Sequence, residues 1–248
     1  MKNEHPAYDL MPDQRGPRAS GFAHQILQTV QPFLSTPIAQ LRVLDVGCGY
    51  GYTSVELARQ CRQVVGIDAS NMLIEHARVL RLQSQLRNIE FYCHPAEELH
   101  DIAHYDLVIL DNVLEHLPDQ PAALRRISQS LKPGGVVFIL VPNKLWPMEV
   151  HYRLPFLSYL PLRLANFYLR LTGRGADYSD ASFAPTFFGL NRLLRHCEGV
   201  SFRYVLPADL SLATMGQSLH YRLGAAAIRR CPWLWIVSKM FLVVGVKQ

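Results

Sequence analysis

No unbroken apolar run in these 248 residues is long enough to cross a bilayer; the nearest, 224–246, is interrupted by Arg229, Arg230, Pro232 and Lys239. The first sixteen residues are polar and contain prolines, without the apolar stretch of a secretion signal, so a cytoplasmic protein is expected. The five cysteines are odd in number, scattered and form no C-x-x-C pair, which argues against a disulfide framework or a cysteine zinc site. Low-complexity tracts and repeat periods are also missing, which argues against linkers and solenoids. Charged residues make up only 18% against 49% hydrophobic, a globular composition. One α/β domain with an embellishment fits this length.

What is present starts at residues 41–58. A short valine-containing run ends at Asp45. Glycines then alternate at 47, 49 and 51, and a helical pattern begins with Thr53, Ser54 and Glu56. This reads as a buried strand, a tight turn and a helix, with glycines bringing main-chain N–H groups against a ligand. The dinucleotide fingerprint G-x-G-x-x-G fails, because Tyr52 stands at its sixth position. A carboxylate at Asp45 would repel a pyrophosphate but suits a ligand carrying ammonium and sulfonium charge. The run Leu44-Asp45-Val46-Gly47-Cys48-Gly49-Tyr50-Gly51 resembles motif I of the class I S-adenosylmethionine-dependent methyltransferases.

That resemblance extends along the chain. Residues 63–68 form a second short strand ending at Asp68, nineteen residues after Gly49, where a carboxylate can accept both ribose hydroxyls. Ser70 caps the helix that follows. The stretch resembles the family's motif II, which implies ribose binding by Asp68 and places Ala69 and Met72 against adenine. By spacing alone Met72 is core filler. Residues 88–93 make a third strand. The family's usual aspartate beyond it is replaced by Pro95, so contact with the adenine amino group falls to Glu97 or the backbone of Ala96. The fourth strand, 105–111, resembles motif IV, with Asp111 and Asn112 lining the crevice between cofactor and substrate. Ubiquinone-type O-methyltransferases carry E-x-x-E-H here. In this chain Asn112 takes the first position, leaving Glu115 and His116, too few donors for a closed site, so no metal is expected.

A helix over 121–131, a turn at Lys132-Pro133-Gly134-Gly135 and a strand over 136–141 complete five alternating units. These predict a Rossmann-like, doubly wound sheet of seven strands, mostly parallel, whose last strand runs antiparallel between the fifth and sixth. An amphipathic helix over 20–34 precedes them, with Phe22, Ile26, Leu27 and Val30 on one face. The ending predicts a helix over 186–197, a strand over 200–206, a mostly helical 211–230 and a strand over 239–246.

Residues 144–185 exceed the minimal fold and read as a cap over the acceptor site within one domain spanning 1–248. The cap contains a helix, Leu162–Thr172, on which Arg163, Asn166, Arg170 and Arg174 recur at helical spacing. Residues 1–143 hold 12 Lys/Arg against 15 Asp/Glu (−3), while 144–248 hold 13 against 5 (+8). This asymmetry favours an anionic or lipid-like small-molecule acceptor, with peripheral membrane contact through 162–174 and no nucleic-acid partner. His151 is the candidate base for acceptor deprotonation, with Glu149 orienting its ring if both point the same way in an extended segment; His116 is its rival. The resemblance implies an enzyme that transfers a methyl group from S-adenosylmethionine to an O, N or C atom. The other reading is a silent module of the same fold, serving as a partner subunit or membrane adaptor. A nicotinamide dehydrogenase is disfavoured by Asp45 and Tyr52.

Overall fold

The structure is a computed structural model that describes residues 12–207 and 219–248. Chain order is α1 (Pro12–Val30), β1 (Arg42–Val46), α2 (Tyr52–Ala58), β2 (Gln63–Asp68), α3 (Asn71–Ser84), β3 (Ile89–Cys93), β4 (Tyr105–Asp111), α4 (Gln120–Ser130), β5 (Leu131–Pro142), α5 (Leu162–Thr172), α6 (Phe187–Leu194), β6 (Val200–Tyr204), α7 (Leu219–Arg230) and β7 (Met240–Lys247). The strands form one sheet in the order β3-β2-β1-β4-β5-β7-β6. β1 to β5 are mutually parallel, and β7 runs antiparallel to both β5 and β6. The order reverses between β1 and β4, which opens a crevice at their carboxyl ends.

Strand alternation divides the core between the two faces of the sheet. Val43, Val64, Leu107, Ile109 and Phe138 join α1, α2 and α3 on one side. Leu44, Val65, Val108, Leu110 and Ile139 join α4 and α6 on the other. Tyr152, Leu154, Leu157, Ala165, Leu169, Tyr178 and Ala181 make a third, separate cluster inside the cap.

Several boundaries differ from expectation: α6 ends at Leu194 and not at 197, β6 ends at Tyr204 and not at 206, and two differences are larger. The first helix begins eight residues earlier than periodicity indicated and ends at Val30, followed by a short 3₁₀ turn, Gln31–Phe33. The expected turn at 132–135 is absorbed into a twelve-residue β5. Gly134, at φ +75°, and a register shift opposite Tyr105 and Leu107 carry that irregularity without ending the strand. The early part of the expected helix over 211–230 lies outside the described residues.

Candidate active site

The crevice is built by the ends of β1, β2 and β4. Asp68 closes β2 with both carboxylate oxygens engaged: Oδ2 accepts from Gly49 N–H (3.0 Å) and Oδ1 from Ser70 N–H (2.8 Å). A carboxylate offers about four acceptor positions, so two remain open. The glycine turn departs from expectation here. The N–H groups of Cys48, Gly49 and Gly51 go to Ile67 O, Asp68 Oδ2 and Cys48 O, so the protein itself uses these three donors. Gly47 serves packing: a Cβ there would lie 2.5 Å from Val113 Cγ2.

Asp45 is buried, and Ser54 Oγ donates to its Oδ2 (2.5 Å). Burial pushes its carboxyl up to about 7, assisted by the charges of Asp111 and Asp68 and opposed by Ser54. Asp111 is raised to about 6 by burial, against a hydrogen bond from Asn112 Nδ2, and Asp68 is raised for the same first reason. Three crowded carboxyls at the carboxyl edge make a crevice suited to a cation. Asn112 is exposed, in the left-handed region at φ +54°. Met72 is 50% exposed, so it does not fill the core. Ala96 is buried, while Glu97 Oε1 accepts weakly from Asp119 N–H at 3.5 Å. Cys48 is raised by burial and by Asp45 and Asp68, which leaves an inert thiol. Ala69 is exposed at the rim, its carbonyl facing Cys93 Sγ.

The second group forms where the cap meets β4. Glu149 Oε2 accepts the N–H groups of His151 (2.8 Å) and Tyr152 (2.6 Å), and Oε1 lies 2.8 Å from His151 Nδ1. The expected pairing of Glu149 with His151 is therefore present, but a tight turn produces it and not an extended segment. With Nδ1 turned to a carboxylate, the tautomer assigned to His151 leaves its lone pair on Nε2. That atom stands 3.8 Å from Glu115 Oε1, and His116 Nε2 stands 3.9 Å from the same oxygen. The two imidazoles meet edge to face, 5.1 Å apart. Glu115 is fully buried, with neither oxygen hydrogen-bonded to the described residues, and burial raises its carboxyl to about 8. His116 and His151 thus both approach one carboxylate oxygen. Residue spacing identified only two metal-capable donors, but folding adds a third: Glu115, His116 and His151 each offer an atom within 4.8 Å of the others. Glu115 and His116 were read as two donors of an incomplete set; the third, His151, is 35 residues beyond His116 and no spacing ties it to them.

A methyltransferase-domain profile matches residues 18–182. The chain belongs to that methyltransferase family. It is similar to a ubiquinone biosynthesis O-methyltransferase of Leptothrix cholodnii, 32% identical over 186 residues, 69% of this chain and 74% of that one. An Acinetobacter baylyi protein of the same name is 37% identical over 109 residues, 43% of this chain and 46% of the relative, so the chain spans about half its length. A solved S-adenosylmethionine dependent methyltransferase from Mesorhizobium loti shares the fold, with TM-score 0.56, 17% identity and coverage of 90% and 98%. The methyltransferase takes S-adenosylmethionine as cofactor, and the reading as a silent scaffold gives way to that of an enzyme. The three-carboxyl crevice, with Asp68 keeping open acceptor positions, is compatible with that cationic cofactor.

Proposed function

We infer that the enzyme methylates a hydroxyl oxygen of a small, lipid-like or anionic acceptor held between the β1–β4 crevice and the 144–185 cap. The observation that carries this reading is His151, oriented by Glu149 and aimed at buried Glu115, whose oxygens accept no hydrogen bond from the described residues. Asp68 would hold the ribose hydroxyls, and Met72, Ala69 and Ala96 the adenine. Asp45, Asp111 and Asn112 would face the charged end, with the Gly47–Gly49 turn beneath. S-adenosylmethionine supplies an electrophilic methyl group, so alignment and a dry site are most of what the protein must provide. The remaining need is a proton acceptor. His151 Nε2 would take the hydroxyl proton, and Glu149 would steady the imidazolium that results.

The orphaned Glu115 oxygens support a second reading. A divalent ion would be held by Glu115, His116 and His151, a carboxylate and two imidazoles, and would polarise the acceptor oxygen. Metal analysis of the purified protein, then assays with quinol, phenol and anionic lipid acceptors with and without chelator, separate the two. Without chelator sensitivity, His151→Ala should lower turnover by roughly 10²–10⁴ and leave cofactor binding intact. A loss below about tenfold assigns His151 a structural role.

A further inference from the structure

The cap helix α5 has two apolar faces, and among the described residues only one is used. Ala165 and Leu169 are fully buried against the cap's own core. On the opposite side Leu164, Phe167 and Leu171 follow at spacings of three and four and are 55%, 63% and 72% exposed. At 100° per residue they form one outward stripe with Arg163 and Arg170 along its edge, both exposed. The loop leading to α5 continues the pattern. Phe156 is 55% exposed and held in the left-handed region at φ +56°, costly for a bulky residue, with Tyr159 packed edge to face on its ring. Arg153, three residues earlier, is likewise left-handed at φ +52° and exposed.

Scattered exposed apolar residues are ordinary, but a stripe built of leucine and phenylalanine and edged by arginines is not. Charge decides what covers it. Of the described acidic side chains in the cap, Glu149 is buried and held by the His151 turn, while Asp177 accepts from Asn166 and Ser179. The cationic rim around an apolar centre complements a negatively charged bilayer surface, where leucine and phenylalanine enter the acyl boundary and arginines meet headgroups.

We propose that the outer face of α5, Leu164, Phe167 and Leu171 with Arg163 and Phe156, docks the enzyme on an anionic lipid bilayer. Tyr152, next to His151 in the chain, belongs to the cap core on which Ala165 and Leu169 pack, so the stripe faces away from that core. The proposal rests on the acceptor reading only for its purpose; the binding itself requires no acceptor.

The test is co-sedimentation of the full chain with phosphatidylcholine vesicles containing 0 or about one-third phosphatidylglycerol, alongside light scattering without vesicles. Binding to the anionic vesicles alone is expected. L164S/F167S/L171S should lower partitioning onto the anionic vesicles at least about tenfold, and Arg163→Glu should lower it less, without any binding to the neutral vesicles appearing. Both variants should keep wild-type cofactor affinity and melting temperature, because the altered side chains lie in solvent. Equal binding to neutral vesicles, no binding to either, or wild-type partitioning by the triple variant overturns the proposal. So does a stripe-dependent dimer in solution, which would assign the face to a second copy of the chain.

Discussion

Asp45, Asp68 and Asp111 are each held above the ordinary carboxylate range by burial, and Asp45 also by its two neighbours. A bound cation favours their ionised forms, so cofactor binding should release protons and strengthen as pH rises through 6 and 7. Calorimetry in buffers of different ionisation heat should show that release, with affinity rising about tenfold between pH 5.5 and 7.5. A flat profile would separate these acids from the cofactor. Removing the paired acceptor in Asp68→Ala should weaken binding by about 1.5–3 kcal/mol. Glu115 makes a different demand. Its carboxyl rises from 4.5 to about 8, so the stability of the neutral buried form is complete below about 4.5 and is lost as pH climbs to 8. In chelator, the melting temperature should therefore drop between pH 5 and 8.5, and Glu115→Gln should lessen that drop. Equal drops in both proteins would place a compensating positive charge beside Glu115.

The elements were legible where one local rule sufficed. Leu162–Thr172 was read to the residue because Pro161 opens it and Gly173, at φ +66°, closes it. Asp68 and Asp111 were found because short buried strands ended in acids. The turn at 132–135 was misread because glycine and proline also occur in bulged strands, and nothing local distinguishes a bulge from a turn. Arg174 was assigned to a shared face of α5, but it lies beyond the helix, where its guanidinium binds the carbonyls of Tyr152 and Arg153 (2.8 and 3.1 Å). The glycine turn was found for a partly wrong reason. Gly47 leaves room for Val113, so Gly47→Ala should destabilise through both its φ of +66° and the clash. The double variant with Val113→Ala should recover the clash but not the backbone strain. A double-mutant cycle by thermal melting measures the coupling, and strict additivity would mean the two sites do not meet.

At the scale of the molecule, the sheet could be read from sequence but the assembly of the active site could not. Strand periods and glycine positions are short-range, whereas Glu115 and His151 meet only because the cap returns over the end of β4. No spacing rule encodes that contact. Each imidazole and the carboxylate were visible singly, but their convergence was not. The cap's separate core fits the proposed division of labour, in which the sheet edge would hold the cofactor while the cap would supply the proton acceptor and cover the acceptor. Leu169 lies wholly within that core, so Leu169→Ala should cost about 2–5 kcal/mol of local stability. The loss should stay in the cap. Hydrogen exchange should accelerate over 149–178 and stay unchanged over β1, β2 and β4. Cofactor affinity should remain within about threefold of wild type while turnover falls more than about tenfold, because His151 loses its fixed place. If cofactor affinity falls in step with turnover, the cap and the sheet edge form one cooperative unit, and the division of labour is wrong.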